Sequence, residues 1–358
     1  MRTLLGGVPS ERIFDCHPVR NVVKEEMEMS GIARRDFLGL GVGFLGLPAL
    51  GAVTNMTGRM MPISSSVVQP WNRGVLRLKK LELKVGATNP FHVIHISDTH
   101  INFSDIEEMY ENSRNYAAGV RRYVRFPQAI PSFYASLDYA DAIPGAVLVH
   151  TGDLIDFGTR ASYSFLRHNV KGRGMLFSIG NHEYERADSS YDTDIALRRR
   201  RLSESGISQN LEFSSRIVNG VNFVSFDNAI SGKGRISAET RLAIEREFER
   251  GLPVVLMCHI PPYLSDAFRE SAVQGKVDYA LQRGQPQDVE VYLAQSRKAR
   301  WICDDETRAF WKKIREKDSF KAVLCGHCHW PWDEPFGRGR LCMAGGNYEG
   351  CLNDILFS

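Results

Sequence analysis

The chain has 358 residues, 43% apolar and 24% charged, which is enough to fill one large core or two medium ones and excludes a disordered chain. A formal net charge of +3, with no stretch of Lys and Arg densely interleaved with aromatics, argues against a nucleic-acid footprint and against duplex binding. Seven scattered cysteines exclude a disulfide scaffold and leave at least one thiol free, although Cys342 and Cys351 could pair in an oxidising compartment.

The first informative stretch is ARRDFLGLGVGFLGLPALGAV, from Ala33 to Val53. Two arginines precede an apolar run with no charge after Asp36, and the run ends in small residues, the three-part layout of an export signal. It is short and glycine-rich for a membrane span of about 20 apolar residues. Its glycines and Pro48 also make a poor buried helix. Arg34, Arg35, Asp36, Phe37 and Leu38 resemble the twin-arginine pattern R-R-x-F-L. That resemblance implies passage of a folded protein through the twin-arginine machinery to a periplasmic or other extracytoplasmic space, with cleavage near Ala49 to Ala52 and no stable membrane span in the mature chain. The lead before Arg34 is long for such a signal, and KEEMEM, residues 24–29, would be encoded by a purine-rich stretch like a ribosome-binding site. Translation is therefore expected to begin at Met27 or Met29 and not at Met1, which for a start at Met29 leaves residues 1–28 unmade. The chain divides into an N-terminal extension and signal over 1–52, a linker over 53–72 that includes ISSSVVQPWN, and one folded domain over 73–358.

From Val75 the chain alternates between apolar runs and polar turns. VLRLKKLELKV has strand period, and FHVIHISDTHIN reads as a buried strand whose carboxyl end carries Asp98 and His100. The following DIEEMYENSRNYAAGVRRYVRFPQAIPSFYASLDYA has the spacing of one or two helices. GAVLVHTGDLIDFG then repeats the strand-and-turn arrangement with Asp153 and Asp156, and GMLFSIGNHEYE repeats it with Asn181 and His182. Arg198 to Arg201 is expected to be a solvated helix face. LPVVLMCHIPPY ends in His259 and FKAVLCGHCHW in His327 and His329. Between them DAFRESAV, VEVYLAQSRKA and DETRAFWKKIREK alternate helix-like and loop-like composition. The two long insertions are expected to form the walls of a site and to select its substrate.

Loops at the carboxyl ends of such strands gather on one edge of an open α/β sheet. Asp98, His100, Asp153, Asn181, His259, His327 and His329 therefore come within reach of one another, and carboxylates, an amide oxygen and neutral imidazoles are the ligands a pair of divalent or trivalent transition ions would take. Within CGHCH the outer spacing C-x-x-C-H matches c-type haem attachment. Haem is attached to an unfolded chain, which conflicts with a signal for folded export, so the two histidines and not the two cysteines join the rest of the constellation.

The ordered set D-x-H, G-D-x-x-D, G-N-H-E, H and G-H-x-H resembles the calcineurin-like metallophosphoesterases over roughly Arg77 to Phe357. The resemblance implies a four-layer αββα sandwich of two mixed β-sheets flanked by helices, with the metal site at the carboxyl ends of strands, and a binuclear-metal hydrolase of small phosphate esters using Mn, Fe or Zn. By position, Asp98, His100 and His329 match the ligands of one metal, and Asn181, His259 and His327 those of the other. Asp153 matches the carboxylate bridging both, His182 the histidine assigned as general acid, and Asp156 the residue orienting it.

Phe157 replaces the arginine of the Ser/Thr phosphatase D-R-G run, and Asp156 stands where purple acid phosphatases have tyrosine. What remains is the substrate-diverse part of the family, leaning toward diesters or nucleotides. A phosphomonoesterase or a non-catalytic metal-binding scaffold is the alternative. Asn102, Tyr184 and Asn347 are candidate substrate contacts, whereas His92, His95, His150 and Glu183 are expected to be structural.

Overall fold

The computed structural model describes residues 76–103, 125–186, 192–230, 234–263 and 303–358. The signal, the linker, the candidate start sites, the first part of the insertion after His100, and the segments DAFRESAV and VEVYLAQSRKA lie outside the described residues.

The strands in chain order are β1 (Arg77–Leu83), β2 (Phe91–Ile96), β3 (Val147–His150), β4 (Leu176–Phe177), β5 (Phe213–Val218), β6 (Val221–Phe226), β7 (Val254–Met257), β8 (Phe320–Cys325), β9 (Trp332–Phe336), β10 (Gly339–Met343) and β11 (Cys351–Phe357). They form two sheets, β1-β11-β2-β3-β4 and β5-β6-β7-β8-β10-β9. Both are mixed. The parallel run β2-β3-β4 meets an antiparallel β11, and the parallel run β6-β7-β8-β10 is closed by antiparallel β5 and β9.

Because the central strands are covered on both faces, they read as near-continuous apolar runs and not as alternating ones. Val93, Val149 and Leu176 of the first sheet pack against Phe223, Val255, Met257, Ala322 and Leu324 of the second, so the two sheets share one apolar layer. The outer face of the first sheet, with Ile94, Ile96 and Phe177, is covered by α1 (Ala129–Asp141), α2 (Arg160–Asn169) and α3 (Ile195–Glu204) through Phe133, Leu137, Tyr163, Leu166 and Leu202. The outer face of the second, with Val224, Leu256 and Val323, is covered by α4 (Ala238–Phe248) and α5 (Asp305–Ile314) through Ile244, Phe248, Phe310, Trp311 and Ile314. The result is the four-layer αββα sandwich that the motif order implied. Each such side chain contributes about 1.5–3 kcal/mol by leaving water.

Local chemistry sets the helix bounds. Thr159, Asp194, Ser237 and Asp304 each accept the backbone N–H three residues on, at the starts of α2, α3, α4 and α5. Each cap is worth about 1 kcal/mol. In α5, Thr307, Phe310, Trp311 and Ile314 form one buried stripe, and Asp305 and Glu306 at its start and Lys312 and Lys313 at its end complement the helix dipole.

One expectation needs correction, and one open pairing is answered. The arginine run is not simply a solvated face: Arg198 is buried, bonded to Asp192 and the Gly158 carbonyl, and Arg199 pairs with Asp227, leaving Arg200 and Arg201 exposed. The guanidiniums of Arg198 and Arg199 turn inward because α3 packs over backbone and carboxylate groups that need donors. Cys342 and Cys351 are not joined: with Cys258, Cys303, Cys325 and Cys328 they are buried free thiols.

Candidate metal centre

The carboxyl ends of β2, β3 and β4 in one sheet and of β7 and β8 in the other converge on one place, and every expected ligand lies in the turn that follows one of these strands. The turns are sharp. Asp98, His100, Asp153, His327 and His329 all adopt left-handed backbone, with φ of 53°, 54°, 55°, 72° and 66°. Such conformations cost a non-glycine residue about 1–3 kcal/mol each and persist only where the surroundings fix them. Here loop-to-loop hydrogen bonds do so: Asp98 N to Gly152 O, His100 N to Asp153 O and Gly326 N to His259 O, each 2.9 Å. Glu183 adds to this by accepting the amides of Asp153, Leu154, Ile155 and Gly180 at 2.7–3.1 Å. Gly180 and Gly326 make the close approach possible, since a Cβ at the first would overlap Asp153 and at the second would overlap Ser97 and Asp98.

The ligand atoms fall into two groups that share Asp153. In the first, His100 Nε2 is 3.1 Å from His329 Nε2, which is 3.4 Å from Asp98 Oδ1, and Asp153 Oδ2 is 3.9 Å from His100 Nε2. In the second, His259 Nε2 is 3.2 Å from both Asp153 Oδ2 and Asn181 Oδ1 and 3.0 Å from His327 Nδ1. Asp98, His100, Asp153 and His329, and separately Asp153, His259 and His327, bring one ligand atom each within 4.8 Å of one another and could each hold a metal ion.

The donor set fits a cation. His259 Nδ1 lies 2.7 Å from the Thr151 carbonyl oxygen, which only accepts, so that nitrogen carries the proton. In the neutral ring Nε2 is then a lone pair, aimed at two oxygens that are acceptors too. His100 repeats the pattern, with Nδ1 at 3.2 Å from Asp156 Oδ1 and Nε2 turned into the cluster. Asp98 and Asp153 are fully buried, and the ion-pair partners described for them are all histidines. Buried charge on this scale has to be balanced. Without a metal it is balanced by protons. Burial would lower His259, but Asp153 and Asp98 hold it up at about 9, and burial would raise Asp98, but His329 and His259 hold it well below the carboxylate range. A divalent ion would take the place of those protons and bind the same lone pairs.

Beside the first group stands His182. Its Nδ1 lies 3.0 Å from the Asp156 carbonyl oxygen, 3.1 Å from Asp156 Oδ1 and 3.5 Å from Glu185 Oε2. Its Nε2 faces Asp153 Oδ2 at 3.9 Å. Burial lowers this imidazole, yet Asp153, Asp156 and Glu185 overrule it and hold it charged up to about 10. Asp156 is thus shared between His100 and His182.

The expected structural residues are structural. His95 and His150 are buried against Thr151 and Thr99 hydroxyls, both at 2.9 Å, and His92 meets Asp354 at 2.6 Å. Two expected substrate contacts are corrected. Tyr184 is in the core with its hydroxyl on Asp227 at 2.6 Å, and Asn347 is buried with its amide on Ser136, Thr99 and the Cys351 carbonyl. In both, side-chain polar atoms are engaged by the protein. Asn102 is half-buried in the loop after His100.

Four neighbours of the site carry no motif. Phe126 stacks on His100 at 4.5 Å, Tyr348 lies against both Phe126 and His329, Glu185 accepts from Asn181 Nδ2 at 3.3 Å, and Asn228 clamps Ile260 through its N–H and C=O. The strand-then-polar-turn pattern VSFDN at the end of β6 could have pointed to Asn228. Nothing in the sequence pointed to Phe126, which precedes α1 by chain but meets His100 only in the fold.

Residues 91–331 match the family model of calcineurin-like phosphoesterases, a span that begins at β2 and ends two residues after His329. The chain belongs to the calcineurin-like phosphoesterase family. As a member it is a hydrolase. No curated protein sequence matches it. Solved structures similar to this phosphoesterase include a dimetal phosphatase from Danio rerio, at 12% identity, TM-score 0.37, covering 74% of this chain and 92% of that one. A 5'-nucleotidase from Candida albicans is similar at 12% identity and TM-score 0.36, covering 75% and 47%. A purple acid phosphatase from yellow lupin (Lupinus luteus) is similar at 14% identity and TM-score 0.40, covering 75% and 45%. The chain spans about half the length of the last two. Among the described residues no helix is long and apolar enough to cross a membrane.

Proposed function

We propose that this chain hydrolyses phosphate esters at a centre in which Asp98, His100 and His329 hold one transition ion, Asn181, His259 and His327 a second, and Asp153 both. The observation carrying this reading is the convergence of two ligand groups, each drawn from turns of both sheets, on the single buried carboxylate of Asp153. When bound, a pair of Mn, Fe or Zn ions supplies an activated water and polarises the phosphoryl group. The remaining steps belong to side chains. Asp156 accepts from His100 Nδ1 and His182 Nδ1, which leaves the His100 Nε2 lone pair for a metal and sets His182 Nε2 beside Asp153. His182 holds a proton on Nε2 and donates it to the leaving oxygen as the P–O bond breaks.

A diester or nucleotide-type substrate is favoured over a monoester. Phe157 is buried where a phosphatase would present an arginine, so this position gives no second cation to a dianionic monoester. The test is a panel of nitrophenyl mono- and diesters on the metal-loaded protein, with metal analysis of the same preparation. Diester turnover above monoester turnover supports the reading, and no turnover of either by fully loaded protein overturns it. We also propose twin-arginine export from Arg34 and Arg35. Replacing both with Lys is expected to leave the precursor in the cytoplasm, and unchanged export would exclude the route.

A further inference from the structure

Strand β6 runs parallel beside β7 and ends at the same sheet edge as the ligand turns, yet it brings no ligand. The turn after it carries Asp227 and Asn228, both buried. Asp227 fixes that turn: Oδ1 accepts the Ala229 and Ile230 amides at 2.8 and 3.1 Å, and Oδ2 accepts the Tyr184 hydroxyl at 2.6 Å and Arg199 Nη2 at 2.8 Å.

Asn228 turns both ends of its amide on one residue. Oδ1 accepts the Ile260 N–H at 3.1 Å, and Nδ2 donates at 2.7 Å to the Ile260 carbonyl oxygen, which the Cys258 thiol also approaches at 3.5 Å. Ile260 is buried and directly follows His259. Here the chain leaves the sheet. Among the described residues its backbone bonds to the β8 side end with Gly326 N to His259 O at 2.9 Å, and Pro261 and Pro262 have no N–H to offer. The buried peptide groups of Ile260 lie past the ladder, and the asparagine stands in for a neighbouring strand.

His259 is thereby held three ways: its carbonyl by Gly326, its Nδ1 by the Thr151 carbonyl oxygen at 2.7 Å, and the residue after it by Asn228. Its Nε2 stands 3.2 Å from Asn181 Oδ1 and 3.0 Å from His327 Nδ1. A small rotation of the His259 backbone would separate these three side chains.

We propose that Asn228 is a positioning residue for the second metal, its amide fixing the peptide after His259 so that Nε2 stays with Asn181 and His327. This rests on the ligation proposed above. Asn228 acts through the backbone of a ligand turn and not by touching the ion or the ester. Asp98, His100 and His329, assigned to the first ion, stand in other turns with supports of their own.

The test is calorimetric titration of the metal-free full chain with Mn(II), with electron paramagnetic resonance of the loaded protein and its melting temperature. Wild type is expected to take up two ions and to give the exchange-coupled signal of a Mn pair. Asn228→Ala is expected to hold one ion within about two-fold of its wild-type affinity and the other about 10–100-fold more weakly, with the coupled signal lost at matched metal. Asn228→Ser, whose hydroxyl can serve one Ile260 group but not both, should fall between, and it decides the matter if Asn228→Ala does not fold. Phe248→Leu, a change in the outer core at α4, should lower the melting temperature and keep both ions. In a His259→Ala background, which already lacks the ligand, adding Asn228→Ala should leave the affinity of the remaining ion unchanged. A fall in melting temperature alone, as in Phe248→Leu, an equal weakening of both ions, or a further loss in the His259→Ala background would each overturn the proposal and leave the two-metal reading standing. A wild-type chain that takes up fewer than two ions would refute that reading, and this proposal with it.

Discussion

His95 and His259 are equally buried, yet the chain uses them in opposite ways. His95 lies within β2, where Nδ1 accepts from Asn353 Nδ2 at 3.4 Å and Nε2–H donates to the Thr151 hydroxyl, so the neutral ring is satisfied. Burial lowers it to about 3 against the pull of Asp98. His259 lies just past the end of β7, and its two nitrogens face a carbonyl, a carboxylate, an amide oxygen and another imidazole. A ring surrounded by acceptors needs a proton or a metal. Histidines within the strands therefore serve as packing, whereas those in the turns beyond β7 and β8 stand in a cluster that could hold a metal.

The largest expected effect is at the group common to both halves. Asp153→Asn removes the charge that both metal groups share, so metal content should fall and activity should drop by more than about 100-fold. Full activity with full metal in this variant would contradict the shared carboxylate. Next comes His182→Ala, which leaves every ligand in place. Metal content should be unchanged and turnover of alkyl esters should fall by about 10²–10⁴, with a much smaller loss on nitrophenyl esters, whose leaving group needs no proton. Equal losses on both substrates would remove His182 from the acid role.

The remaining effects are on stability. Glu183→Ala strands four backbone N–H groups behind the turn, which costs about 3–5 kcal/mol, and the melting temperature should fall steeply by calorimetry. Tyr184→Phe removes one hydroxyl donor from Asp227 while Arg199 stays bonded to it, so about 1 kcal/mol should be lost in denaturant titrations. Its diester turnover should be unchanged, and a large loss would return Tyr184 to the site.

Much of this contrast could be read from the chain. The convergence of the candidate ligands was legible because each follows an apolar run within a few residues of its end, and apolar runs covered on both faces are the easiest strands to see. The turns were also legible, since Gly152, Gly180 and Gly326 mark where two loops come into contact. What lay outside the pattern depends on distance in the fold and not on spacing. Phe126 and Tyr348 meet across more than two hundred residues, and β4 is too short, at two residues, for its own pattern to mark it. The inward turn of Arg198 and Arg199 was missed because a run of four arginines looks solvated until the carbonyl and carboxylates opposite it are known.

The most direct measurement is a titration of metal-free protein with Mn while hydrolysis of a nitrophenyl phosphate diester is followed. Activity is expected to be absent at the start, to rise as metal binds and to level off at about two ions per chain. Full hydrolysis by the metal-free protein, or no hydrolysis once both sites are filled, would contradict the account.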